Sequence, residues 1–333
     1  MYYLLLVCLA LAVLLASNMI ASALTTILWH GILRLTRQWS ATAYARLLFT
    51  LRIFPAATAL VGVVALFIPS YILYEPRPAD EVVDTKLVVL ASVSAAGIVA
   101  ALWRWLTSWR ATRRLVADWM SHAEAMRIEG LSVQAFCLRH PFPVMAVVGT
   151  FRPQLFVSRQ IIDSLDRREF LAAMEHETGH VSARDNLKRV LMRGCRDLLA
   201  ILPCGRSLDR AWSKAAEAAA DEFAAIRGRS TALDLASALV KIARMVPEGS
   251  KPTMPVGAFL LSEDPGGIAW RVHRLTQIAE ASRASFRQGE FISNAITRGC
   301  LCMSLAALTY AAVSPHFLVQ FHAAMEQLFP FLS

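Results

Sequence analysis

Charge is what this chain has least of where it begins. From Met1 to Leu33 there is no Asp, Glu, Lys or Arg, and over the whole length 18% of residues are charged against 56% hydrophobic. A run of that length exceeds the roughly 20 residues needed to cross a bilayer. It also lacks the basic leader of a cleaved signal peptide, and it stays apolar beyond Ala21-Ser22-Ala23, so an uncleaved anchor is expected. Paired Cys-x-x-Cys spacing is absent among the six cysteines, which sets aside a disulfide framework or a cysteine zinc site and leaves them as small apolar residues. Internal repeats, low-complexity tracts and helix-turn-helix or RNA-binding signatures are missing as well. The net charge of +9 is therefore assigned to lipid headgroups beside the spans, and nucleic acid is not an expected partner.

Further apolar runs follow. Leu47 to Tyr74 is interrupted only by Arg52, expected to snorkel toward the membrane surface, while Leu87 to Trp103 and Gly299 to Met325 carry no charge. Four transmembrane helices are expected, at about 3–33, 47–74, 87–106 and 299–321, with residues 108–298 forming an inserted domain and 322–333 a short tail. Arginines decide the orientation. Arg34, Arg37 and Arg46 follow the first run, and Arg104, Arg110, Arg113 and Arg114 follow the third, whereas Glu75, Asp80, Glu81 and Asp84 crowd the connection between the second and third. This predicts a multi-pass protein of the cell inner (plasma) membrane with its N-terminus outside and the inserted domain in the cytosol. Trp103, Trp105 and Trp109 fit the interface.

Within that domain stands His176-Glu177-Thr178-Gly179-His180. On a helix, residues four apart share a face, so two imidazoles can take neighbouring corners of one zinc tetrahedron with Glu177 as general base. Asp166 and Glu169 have the spacing of a capping box, and Phe170, Leu171 and Met174 supply an apolar stripe. A helix over 167–184 is predicted, with the motif in its middle. A third histidine six residues past His180 is absent, Asn186 standing there. The better third ligand is Glu217 in the alanine-rich, strongly helical stretch after Lys214, with Asp221 on the same face as acceptor for a ligand imidazole. Asp185 is expected to order the turn after the motif.

The run from Met174 to Arg189, the Glu217 and Asp221 pair, and Val148 to Val157 together resemble the BlaR/MecR-type antirepressor family, integral membrane zinc metallopeptidases of the gluzincin group. The resemblance implies a zinc endopeptidase with His176, His180 and Glu217 as ligands, Glu177 as base and Asp221 behind a ligand. It further implies cleavage of a cytosolic protein, such as a transcriptional repressor, with self-cleavage or a homo-oligomer compatible with it. Members of that family carry an extracellular sensor after the last span, whereas about a dozen residues follow Phe321 here, so a signal is expected through a partner, the lipid or the short outer loop. Two other readings stand beside it: a quality-control or prenyl-type membrane metallopeptidase, and a non-catalytic scaffold.

The expected fold is mainly α and integral to the membrane, with a cytosolic α+β zincin-like domain between the third and fourth spans. An amphipathic helix over 109–127 leads into it, and Val144–Val148 and Gln154–Ser158 form a hairpin. Helices follow at 186–202, 207–226, 231–245 and 268–288, with a proline- and glycine-rich loop over 247–267. The strand carrying Gln154, Leu155, Phe156 and Val157 is a candidate edge for an extended peptide substrate. His273 and nearby arginines are the polar groups available to steady an oxyanion.

Overall fold

The computed structural model of the chain describes residues 1–36, 39–76, 84–128, 133–197, 204–246, 265–280, 306 and 309–332. Among these, three helices are long and apolar enough to cross a membrane: Tyr2–Trp29, Ala41–Tyr74 and Thr85–Ser121. Their make-up is compatible with a membrane protein. The first belongs to α1 (Tyr2–Leu35). The second is α2 (Ala41–Gly62), a π-helical turn at Val63–Phe67 and α3 (Ile68–Tyr74) in continuous succession. Ser40 caps α2 by accepting the Ala43 N–H.

The third, α4 (Thr85–Ser121), differs from expectation. Its 37 residues continue without a break from the apolar run into the inserted domain, because no glycine or proline interrupts 99–121. Residues 124–126, expected to be helical, instead lie in strand β1 (Ala123–Met126). Of the expected fourth span at 299–321, residues 299–305, 307 and 308 lie outside the described residues, and the rest is helical apart from Ser314; most of the 247–267 loop and the end of the expected 268–288 helix also lie outside them. Residues assigned to a tail belong to a helix, α11 (Pro315–Leu332), which packs against α3.

Three more strands, β2 (Ala135–Leu138), β3 (Met145–Val148) and β4 (Gln154–Ser158), complete a sheet of order β1-β2-β4-β3. β3 and β4 form the expected antiparallel hairpin, turned at Gly149, whose φ of 109° favours glycine. The period-two alternation sends Phe136, Ala146, Val148 and Phe156 to one face, against Trp119 of α4. Ala135, Met145, Val147, Leu155 and Val157 go to the other, against the helices. The third apolar helix is thus bolted to the sheet by its own last turns.

Position in the sheet overturns one expectation. β4 pairs antiparallel with β3 on one side and parallel with β2 on the other, so Gln154, Leu155, Phe156 and Val157 have no open edge. Leu155, Phe156 and Val157 are all 0% exposed. The free edge of this hairpin belongs to β3.

The helical layer comprises α5 (Arg159–Ser164), α6 (Arg167–Ala183), α7 (Asp185–Asp197), α8 (Cys204–Ala225), α9 (Arg229–Met245) and α10 (Pro265–Glu280). α6 begins with the predicted capping box, Asp166 accepting from the N–H groups of Arg168 and Glu169 while the Glu169 carboxylate accepts the Asp166 N–H. It ends at Arg184 in the left-handed conformation, φ 54°. α8 packs on α2, with Trp212, Leu208 and Ala215 against Ala45 and Leu48. This explains Arg52, which does not snorkel. It is buried and its Nε donates to Asp209 Oδ1 at 2.9 Å, because the first turns of α2 face α8.

Candidate metal centre

α6 and α8 meet where the chain has no side chain to spare. A Cβ on Gly179 would stand 3.1 Å from Ala220 Cα and 3.3 Å from Phe223 Cβ, so glycine permits the approach that brings Glu217, one turn before Ala220, level with the paired histidines. His176 Nε2 and His180 Nε2 are 3.2 Å apart. Glu217 faces both rings, with Oε2 3.5 Å from His176 Nε2 and Oε1 3.5 Å from His180 Nε2.

Those separations can be checked against metal chemistry. Two ligand atoms about 2.0–2.1 Å from one zinc and a tetrahedral angle apart stand roughly 3.3–3.4 Å from each other. The imidazole pair at 3.2 Å is close to that figure, and each Glu217 oxygen stands 3.5 Å from one of the two imidazoles. Two imidazoles and a carboxylate also form a donor set suited to zinc. His176, His180 and Glu217 are therefore a group that could hold a metal ion. Glu177 lines the cavity beside them, a space of about 50 Å³ bordered also by Met145, Val147 and Asn186.

Each imidazole is held from behind through its other nitrogen. His176 Nδ1 is 3.0 Å from Asp221 Oδ1, and His180 Nδ1 is 2.8 Å from Asp185 Oδ2. Asp221 stands where the sequence placed it. Asp185 does more than order the turn: the left-handed Arg184 reverses the chain, so the first residue of α7 points back at His180. Asn186, seen in the sequence only as a missing histidine, donates its Nδ2 to the carbonyls of Val147 at 2.9 Å and Gly149 at 3.1 Å. It fixes the β3 edge next to the cavity.

One residue of the centre figured in the sequence reading only as one of the arginines near His273. Arg271 on α10 is 2% exposed and grips Asp221 with two bonds, Nη2 to Oδ1 at 2.7 Å and Nε to Oδ2 at 3.0 Å, while Nη1 lies 3.0 Å from Glu217 Oε2. A signal for it existed: Arg271 shares a buried stripe with Leu275 and Ala279, and an arginine on the apolar stripe of a helix needs a buried anion. His273, considered for an oxyanion role, is exposed and contacts Gln277.

The electrostatics follow from this crowding. Burial opposes charge on Glu217, yet His180 and Arg271 hold its carboxyl well below the usual range. Asp221 is lowered in the same way, against burial, by Arg271 and His176. Burial also disfavours imidazolium at His180, but the Glu217 and Asp185 carboxylates outweigh it and raise its pKa to about 10. His176 is raised by Asp221 and Glu217 against burial and the Arg271 charge. Glu177 is pushed up by burial. Without a metal, protons occupy the place of its positive charge.

A sequence profile of Peptidase family M48 matches residues 123–208, from β1 into the first turns of α8. This is a zincin-type metallopeptidase family whose members are typically zinc-dependent. The match includes His176, Glu177, His180 and Asp185 and stops before Glu217, Asp221 and Arg271. No curated protein matches the chain.

Proposed function

We propose that the chain is a membrane-anchored zinc endopeptidase that hydrolyses peptide bonds of a cytosolic protein in a signalling role, with a transcriptional repressor as the substrate type its resemblance to BlaR/MecR-type peptidases suggests. One observation carries this reading: two imidazoles from α6 and a carboxylate from α8 gathered closely enough to share one ion, with the half-buried Glu177 lining the cavity beside them. The M48 match over the segment bearing the motif supports it. The three apolar helices support a plasma-membrane location, and the arginine distribution supports a cytosolic centre.

In this reading His176, His180 and Glu217 hold the zinc, which supplies Lewis acidity and acidifies water when bound. Asp221 and Asp185 fix the tautomers of the two imidazoles. Glu177 takes the proton of the attacking water and passes it to the leaving amine. The substrate lies extended along the outer edge of β3, where Met145 and Val147 border the cavity. β4 is closed to it.

Glu177→Gln tests the assignment. The variant should keep its zinc and lose hydrolysis, so a fragment found in the proteome of cells carrying the wild type should vanish with the variant. Undiminished cleavage by Glu177→Gln would refute the proposal, and a chain that binds no zinc would favour the scaffold reading. A quality-control or prenyl-type role on membrane substrates remains the second reading. It is favoured by the seating of α8 directly on the first turns of α2, which keeps the centre close to the bundle; substrates trapped by the inactive variant separate the two.

A further inference from the structure

Away from the metal centre, three more side chains of the ligand type meet at the end of α3. Glu75, which follows the last residue of α3, has its side chain buried and stands with Oε2 3.4 Å from Nε2 of His322. Glu326 brings Oε1 to the same nitrogen at 3.6 Å. His322 and Glu326 are four positions apart on α11 and so share one helical face. One donor atom from each of the three residues lies within 4.8 Å of the others. The seating of α11 explains the meeting: Phe321 and Met325 join a cluster with Phe67 and Tyr71, and this turns the buried His322 toward the end of α3. Tyr74 lies against it, ring centroids 6.1 Å apart, and donates its hydroxyl to the Pro315 carbonyl at the start of α11.

Distance selects the cation that joins two carboxylates to one imidazole nitrogen. A proton on Nε2 would make a hydrogen bond of about 2.7–3.2 Å to one oxygen, and both oxygens stand beyond that range. Two donors bound to one zinc at a tetrahedral angle are roughly 3.3–3.4 Å apart, which is the spacing of Glu75 and His322. Glu326, with its side chain 57% exposed, has the room to close the remaining difference and leaves the site open to solvent. An imidazole beside two carboxylates suits zinc and its neighbours among the divalent transition metals, whereas calcium and magnesium take oxygen ligands. We propose that Glu75, His322 and Glu326 form a second metal site, for a divalent transition-metal ion of the zinc class.

The two sites belong to opposite ends of one helical run. Ala41–Tyr74 spans 34 residues, about 50 Å, from the turns of α2 that seat α8 to the residue before Glu75. Glu75 opens the acidic connection that the arginine pattern assigns to the outside. An ion held there ties α11 to the end of α3, two elements far apart in the sequence whose other joint is the apolar cluster around Tyr71. The second site rests on neither the peptidase reading nor the membrane reading; the membrane reading adds only that its ion comes from the outer compartment.

The test follows amide hydrogen exchange of the full chain in detergent, first stripped with chelator and then titrated with zinc. Peptides of α11 should gain protection as zinc is added, and Glu326→Gln should move the midpoint of that gain to at least about tenfold higher zinc, the smaller of the losses seen even when a group behind a ligand is removed. Glu326 is exposed, so the folded state should survive, and circular dichroism verifies it. His322→Gln should abolish the response of α11. Peptides of α6 and α8 report the first centre in the same experiment, and their response should be alike in wild type and both variants; if they ignore zinc, the peptidase reading fails while the α11 readout stands. Exchange in α11 that is indifferent to zinc, or an unchanged midpoint in Glu326→Gln, would overturn the second site. Equal protection by magnesium at the same concentration would overturn it as well, by assigning the effect to carboxylates without the imidazole.

Discussion

Arg271→Met is the most informative perturbation of the centre, because it removes a charge and leaves a side chain of similar reach. In the metal-free protein it strips Asp221, 0% exposed, of two charge-assisted bonds and Glu217 of a third. Each such bond contributes about 1.5–3 kcal/mol, but the three share one cation and are not additive. The better guide is the loss of one partner from a buried ion pair, about 3–5 kcal/mol. At roughly 2–4 °C per kcal/mol for a domain of this size, Tm should fall on the order of 10 °C. Zinc reverses the argument, since it brings a double positive charge to Glu217 and thereby to the neighbourhood of Asp221. Added zinc should therefore stabilise the variant by more than it stabilises the wild type. Thermal denaturation in detergent with chelator and with zinc measures both differences. A variant within about 1 kcal/mol of wild type under chelator, outside the range for an orphaned buried carboxylate, would refute the reasoning.

Two further outcomes follow from the same groups. His180, raised to about 10 in the metal-free centre, must lose its Nε2 proton to accept a metal, so zinc affinity should rise with pH up to about 10, by roughly tenfold per pH unit for each proton displaced. Calorimetric titrations in buffers of different ionisation enthalpy should show at least one proton released near neutrality, and an affinity flat between about pH 6 and 8 would contradict this. Asp185→Asn keeps an acceptor beside His180 Nδ1 but removes its charge, and should weaken zinc binding by about 10–100-fold; a chelator competition giving the wild-type Kd would show that the 2.8 Å contact does nothing for the ligand.

What could be read in the sequence is what depends on neighbours along the chain. The capping box of Asp166 and Glu169, the four-residue spacing of the histidines and the pairing of Glu217 with Asp221 on one face are local rules, and the structure brings all of these residues together. What depended on distant partners was hidden. Ala123–Met126 has no strand composition, and its pairing with β2 makes it a strand. The hairpin turn at Gly149 announced β3 and β4, but nothing near 154–157 revealed that β2 would close the other side. Arg52 read as an interruption of a span because Asp209, its partner, lies 157 positions away. Arg271 read as one basic residue among many until α10 placed it between two carboxylates from α8.

These long-range contacts bear on how the centre is held. The imidazoles belong to α6, which packs against the sheet and α9. The carboxylate belongs to α8, which is tied to α2 by Trp212, by the Arg52–Asp209 pair and by Glu222, whose carboxylate accepts the N–H of Ala41 and pairs with Arg274. The three donors therefore sit on the seam between the domain core and the long apolar helices, joined there by the close contact at Gly179. With each Glu217 oxygen 3.5 Å from one imidazole, a slip of α8 by one residue, about 1.5 Å, takes the carboxylate out of register with the imidazole pair. The geometry of the centre is thus set jointly by the fold of the domain and by the packing of α8 on the apolar helix α2.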